Sequence, residues 1–321
     1  MKRQSADYSG SPEFDLIDAP VRLLVVPYAE AGSRVDQVLA RLIPEHSRNR
    51  LQAWIREGRL SMDGELVEDP KRKVRGLERL ELTEAPAEEV VAQTAEDIPL
   101  SVVYEDADIL VIDKPAGLVV HPGSGNWSGT LLNALLHHAD DAKTLPRAGI
   151  VHRLDKDTSG LMVVARNEIA QTDLVRQLQA RTVKRQYFAL VRGLVARDIV
   201  VDEPIGRHPT QRTRMAVVGG GREARTRVQV RERFARCTLV ECSLETGRTH
   251  QIRVHMAHLG HPLVGDALYG GARGAPVFGR QALHAWRLGL IHPRTGESMA
   301  WESVLPADMA ALLATQQTEA R

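Results

Sequence analysis

Six consecutive residues without a polar side chain, Gly160-Leu161-Met162-Val163-Val164-Ala165, follow directly on the polar stretch His152-Arg153-Leu154-Asp155-Lys156-Asp157-Thr158-Ser159. Such a run reads as a buried strand. The charged loop must then sit at one end of it, and rigid strands that present charged loops are where catalytic groups tend to lie. Asp157, Thr158 and Ser159 suit a turn in which side chains bond their own backbone, with Gly160 supplying unusual dihedrals. That turn chemistry leaves the packed His152, Arg153, Asp155 and Lys156 unaccounted for. From the residues alone, a salt-bridged loop and a reactive one both fit.

The pattern around this segment predicts an α+β fold. Short β-type runs fall at 102–104, 109–112, 187–191, 224–230 and 237–244, with helical patterns at 131–137 and 170–180 between them. Their irregular alternation predicts a mixed, mainly antiparallel sheet flanked by helices over residues 100–321. A separate small α/β module is expected at 32–83. There Val35, Val38, Leu39 and Leu42 follow helical spacing up to Pro44, and Ser47 can cap a second helix that buries Leu51, Trp54 and Ile55 and stops at Gly58. Leu60-Ser61-Met62 and Leu66-Val67 flank Asp63-Gly64, a hairpin signal. A strand follows at 77–82. Residues 1–31 read as an N-terminal extension with one short strand-like run, Arg22 to Val26, and 84–99 read as an Ala-, Glu- and Pro-rich linker.

Charge nearly balances at +1, so net charge announces no nucleic-acid partner. Its distribution is more informative. From Leu174 to Arg197 there are six basic residues and no acidic one, and from Pro204 to Arg236 nine arginines stand against Glu223 and Glu232. Segregated basic surface can attract phosphates locally, although a solvated arginine-rich face explains the same pattern. Arg48, Arg50, Arg56 and Arg59, on or beside the module's second helix, face the same two readings.

Only Cys237 and Cys242 occur, and five-residue spacing along a strand puts them on opposite faces, as buried free thiols of a reducing compartment. No long apolar span or signal-peptide pattern appears, so a cytoplasmic protein with no membrane partner is expected. The glycines from Gly123 to Gly129 miss dinucleotide-loop spacing by one residue, and no nucleotide cofactor is expected. His250, His255, His258 and His261 invite a metal reading, but no acidic residue lies among them, and no metal is expected.

The polar stretch and the strand after it resemble the catalytic motif of the RluA/RluD-type pseudouridine synthases nearly residue for residue. The run from Val111 to Pro122, with Asp113-Lys114-Pro115-Ala116-Gly117 at its centre, resembles that family's first motif, followed by Gly129 to Leu135. Lys184-Arg185-Gln186-Tyr187 is similar to the motif carrying its active-site tyrosine. Leu244-Glu245-Thr246-Gly247-Arg248-Thr249-His250-Gln251-Ile252-Arg253-Val254-His255 and Pro262 to Asp266 are similar to its third. Arg34-Val35-Asp36, the Ser47-Arg48 helix start and Gly58 to Gly64 resemble an S4 RNA-binding module.

The resemblance implies the pseudouridine synthase fold and an isomerase that needs no cofactor. Asp155 would be the essential aspartate, attacking C1′ of the ribose or assisting removal of its 2′ proton. Arg248 would pair with that carboxylate, Tyr187 would pack on the base, and Arg153 would fill the gap left by a flipped-out uridine. Arg48, Arg50, Arg56, Arg59, Lys184 and Arg185 are the expected RNA contacts. The nearest subtype implies 23S ribosomal RNA or its large-subunit precursor as partner, with targets in helix 69. The competing expectation is a non-catalytic RNA-binding or ribosome-assembly factor of the same fold.

Overall fold

The computed structural model describes residues 20–85, 88–123, 125–211, 213–270 and 276–319. Backbone packing separates a small unit, Pro12–Val91, from a large one that includes Ala92–Arg321.

In the small unit, strand β1 (Val21–Val25) precedes helices α1 (Val35–Leu42) and α2 (Arg48–Arg56), and strands β2 (Leu60–Met62), β3 (Glu65–Leu66) and β4 (Arg79–Thr83) follow. Helical spacing buries Val35, Val38 and Leu39 against Leu51, Trp54 and Ile55 in one core. Ser47 caps α2 by accepting the Arg50 N–H. Asp63 and Gly64 both adopt positive φ, 52° and 81°, the backbone hand that a tight hairpin requires. One expected boundary moves. Strand β1 pairs antiparallel with β4, giving the sheet order β1-β4-β2-β3, so residues assigned to an extension belong to this unit. The run was visible in the sequence, but none of its side chains is buried, so nothing tied it to a partner.

Asp36 is the polar exception in this core, fully buried. Its carboxylate accepts from Arg34 at 3.0 and 2.9 Å, from Arg48 at 3.1 and 2.9 Å, and from Gln52. Burial opposes the ionised carboxyl, but these donors outweigh it and hold Asp36 below the usual carboxylate range. The cluster pins α1 to α2.

After the short helix α3 (Glu88–Ala92), the large unit begins with β5 (Val102–Glu105) and β6 (Ile109–Lys114), then α4 (Leu131–His138), β7 (Ser159–Ala165), α5 (Glu168–Gln179) and β8 (Lys184–Arg192). Next come β9 (Ile199–Asp202), a small hairpin of β10 (Ile205–Arg207) and β11 (Met215–Val217), and the long pair β12 (Arg225–Arg233) and β13 (Cys237–Leu244). Helix α6 (Gln251–His258), strands β14 (Leu283–Ile291) and β15 (Ser298–Glu302), and helix α7 (Ala307–Glu319) complete it. The nine-stranded sheet runs β5-β6-β7-β14-β8-β13-β12-β9, with β15 also on β14. Only the β7–β14 pairing in it is parallel.

Every residue of β7 is buried. Met162 and Val164 join Leu131, Leu132 and Leu135 of α4 in one core cluster. Leu161, Val163 and Ala165 join Ala170 and Leu174 of α5 in another. A strand covered on both sides has no polar face to show, which explains its uninterrupted apolar sequence. The two thiols lie on opposite sides of β13 as the spacing predicted: Cys242 in the cluster with α4, Cys237 under α7. Both are free, and burial pushes them up to about 12 and about 11. Among the described residues no helix is long and apolar enough to cross a membrane.

Candidate active site

The polar loop enters β7 through a fixed turn. Thr158 N–H donates to the Asp155 carbonyl at 3.1 Å, Arg280 Nη1 donates to the Asp157 carbonyl at 3.0 Å, and Gln281 Nε2 donates to Thr158 Oγ1 at 3.2 Å. Gly160 has φ of +115°, and a Cβ there would lie 2.5 Å from the Ala285 nitrogen. Glycine is required both by the dihedral and by the close approach of β14. On the other flank, Lys114 is fully buried. Its Nζ donates to the carbonyls of Pro115, Leu118 and Lys156 at 2.7, 2.9 and 2.9 Å. With no carboxylate bonded to it, burial pulls its ammonium down to about 7.

This scaffold leaves the Asp155 side chain 17% exposed. Arg253 Nη1 donates to Asp155 Oδ2 at 3.0 Å, while His250 Nε2 lies 3.9 Å from Oδ1. The same guanidinium turns its Nε and Nη2 to Asp266, at 2.7 and 3.0 Å. Asp266 also accepts the backbone N–H of Leu268 and Tyr269. Burial raises the Asp266 carboxyl, but Arg253 and these amides more than compensate, and it stays below the ordinary range. Facing two carboxylates, Arg253 is held above its usual value despite burial. Tyr269 lies under it, with the guanidinium carbon 5.1 Å from the ring centre, and bonds His250 Nδ1 through its hydroxyl at 2.9 Å. His250 takes φ of 57° at the start of α6, a left-handed residue of the kind that gathers at functional sites. Burial holds its imidazole below its normal value, opposed by Asp155.

The structure corrects the expected partner of Asp155. Arg248 donates its Nε to the Glu223 carbonyl at 2.9 Å, and the arginine on Asp155 is Arg253, in the same sequence block. Arg248 lies in the turn before α6, held there by its N–H to Gln251 Oε1, whereas Arg253 is on the helix face turned toward the loop. One signal could have found it. Arg253 stands between Ile252 and Val254 in a buried helix, and a buried arginine needs carboxylates; Asp266 is the nearby candidate.

Tyr187 is 5% exposed on β8, and burial raises its phenol, with Arg185 opposing and the nearby Asp155 carboxylate adding to the rise. Arg153 is exposed beside them. Of the two expected RNA contacts on β8, alternation sends Lys184 and Arg185 to opposite sides, and only Arg185 shares the side of Tyr187. In the small unit Arg48 is committed to Asp36. Arg50 lies over the Trp54 ring at 5.1 Å, Arg56 reaches Gln52 at 3.5 Å, and Arg59 pairs with Glu57 at 3.0 Å. The four histidines do not converge: His255 bonds Thr226 and the Glu203 carbonyl, His261 bonds the Arg192 carbonyl, and His258 is exposed.

Family models match both units. An S4 domain model covers residues 33–79, and a model for RNA pseudouridylate synthase covers 108–258. The ribosomal large subunit pseudouridine synthase D of Nitrosomonas europaea is 56% identical over 297 residues, 90% of this chain and 86% of that protein. The protein of the same name from Pseudomonas aeruginosa is 54% identical, over 91% of this chain and 94% of its own. Among solved structures, human RNA pseudouridylate synthase domain containing 1 aligns with a TM-score of 0.53 at 29% identity, covering 66% of this chain and 86% of that one. The fold is therefore that of an RNA-modifying isomerase. The chain belongs to the RNA pseudouridylate synthase family, enzymes that convert uridine in RNA to pseudouridine.

Proposed function

We propose that this chain isomerises uridines of large-subunit ribosomal RNA, in helix 69 of the 23S molecule, and does so in the cytoplasm. The observation that carries the reading is the Asp155 carboxylate, fixed by Arg253 and part-exposed beside the buried ring of Tyr187. The names of its relatives support the ribosomal substrate. Asp155 attacks C1′ of the flipped uridine or assists loss of its 2′ proton. Either way the C1′–N1 bond breaks, the base turns, and a C1′–C5 bond forms while C5 loses a proton and N1 gains one. The sum is redox-neutral and consumes no co-reactant. Arg253, rather than Arg248, holds and aims the carboxylate through a charge-assisted hydrogen bond, and Arg153 fills the vacated stack.

Pseudouridine mapping across ribosomal RNA from a strain lacking the protein tests the assignment. Sites in helix 69 should disappear, return with the wild-type gene, and stay absent with Asp155→Asn, which should still bind the RNA. Unchanged sites in the deletion strain would remove the ribosomal assignment. Full complementation by Asp155→Asn would favour a non-catalytic assembly factor instead.

A further inference from the structure

Arg185 is 8% exposed, and its Nε is buried without a hydrogen-bond partner. Among the described residues no carboxylate pairs with it, although an unpaired buried guanidinium is costly. It lies against Gly247, where an added Cβ would sit 2.7 Å from Arg185 Nη1. The next residue is Arg248. Burial, with the charges of nearby Arg222 and Arg181, holds the Arg248 guanidinium below its ordinary value. The acidic residue at this cluster is Glu223, and it is taken bidentately by Arg181 at 2.9 and 2.6 Å. Arg185, Arg222 and Arg248 are therefore left without a salt bridge among the described residues.

Three guanidinium groups from three chain segments gather here, and the acid beside them, Glu223, is already taken by Arg181; an arriving anion would relieve their repulsion. The cluster adjoins the catalytic pocket, because Arg185 shares the side of Tyr187 along β8 and its charge reaches the Tyr187 phenol. The turn that carries Gly247 and Arg248 is built for fixed placement: Gln251 Oε1 accepts from Thr246 Oγ1 and from Arg248 N–H, while its Nε2 donates to the Arg225 carbonyl and to Thr226. We propose that Arg185, Arg222 and Arg248 form a phosphodiester site that grips the RNA backbone next to the flipped uridine. Arginine forks suit phosphate oxygens, and a grip on the flanking backbone holds the nucleotide out of its stack while the base is detached. The inference rests on the reading of the adjoining pocket as the uridine site.

The test is binding of a hairpin RNA containing the target uridine, measured across salt concentrations, with and without methylphosphonate linkages flanking that uridine. Arg222→Ala and Arg248→Ala should each weaken binding by about tenfold and lower the salt slope by roughly 0.7–0.9 per lost contact. Neutral linkages should weaken the wild type but cost the variants much less. Arg185→Gln should behave alike. If that variant fails to fold, exposed Arg222 carries the test, and Gly247→Ala adds a second arm: it removes no charge but drives a methyl group into the Arg185 guanidinium. Wild-type salt slopes in the variants, or an undiminished methylphosphonate penalty, would overturn the phosphate site. Pseudouridine formation by the wild type on the same hairpin is scored separately, so failure of the isomerase reading cannot be confused with failure of the grip.

Discussion

Arg253 and Asp155 stand 98 positions apart in the chain and 3.0 Å apart in space, and the rest of the Arg253 fork is already bonded to buried Asp266. The guanidinium is thus positioned by one carboxylate for the other. Arg253→Lys keeps the charge but cannot span both acids. Loss of one preorganised donor should lower single-turnover pseudouridine formation by about 10²-fold or more, with RNA affinity little changed. Arg253→Ala leaves Asp266 buried and unpaired and should destabilise the large unit by about 3–5 kcal/mol, a loss that Asp266→Asn should partly relieve. Denaturant titration of the three variants checks this, and an unchanged rate in Arg253→Lys would remove the arginine from the site.

Gly160→Ala should be among the most damaging small substitutions in the chain. The methyl group collides with the Ala285 backbone, and φ of +115° lies where L residues are strained. Since β14 and β7 meet only at residues 159–160 and 284–285, separating them displaces the Asp155 turn. Lower thermal stability together with lost activity is expected. A variant with wild-type melting behaviour would show that the sheet absorbs the methyl group.

His152 makes acid stability testable. Its Nε2 accepts the Val163 N–H at 3.1 Å, and burial, helped by the Arg185 charge, pulls its pKa down to about 3 from 6.5. As pH falls through 6.5, unfolded chains bind a proton that folded ones refuse. The stabilisation is therefore complete above about pH 6.5 and is lost progressively toward pH 3. His152→Gln keeps an acceptor without a titrating group, so the stability gap between wild type and variant should change across that window. A gap independent of pH between 7 and 4 would contradict the assignment.

In the small unit, Asp36→Ala should unfold the α1–α2 packing. Arg34, Arg48 and Gln52 would lose their shared acceptor, and because both arginines are part-exposed the cost is about 1–3 kcal/mol. Asp36→Asn should recover only part of it, because a neutral amide accepts less strongly from arginine. Fragment unfolding of residues 12–91, followed by circular dichroism, reads the effect.

How much of this was legible depended on whether a signal was local. The β7 run, the Ser47 cap and the Asp63-Gly64 turn are each set by neighbouring residues, and all appear as the sequence implied. Strand β14 is disguised: it carries a bulge between Ala285 and Arg287, and Gly289 interrupts its apolar positions. Helix α6 is obscured by polar residues that are buried for their partners, Gln251, Arg253 and His255 among them. Arg253 is hidden for the same reason. Its role is defined by Asp155 and Asp266, which only the folded chain brings to it, whereas Arg248 and Arg253 are equally plausible as letters in a motif.

Lys114 binds three main-chain carbonyls and no side chain. A clamp that reads only backbone is indifferent to what the residues at 115, 118 and 156 carry, so those positions can change identity without unfastening the segment behind Asp155. The lysine itself has no such freedom: no other side chain is long enough to bury there and brings three donors to a single atom. The cost of losing this clamp is thus concentrated in one residue, while Leu118 answers separately to the core in which it packs.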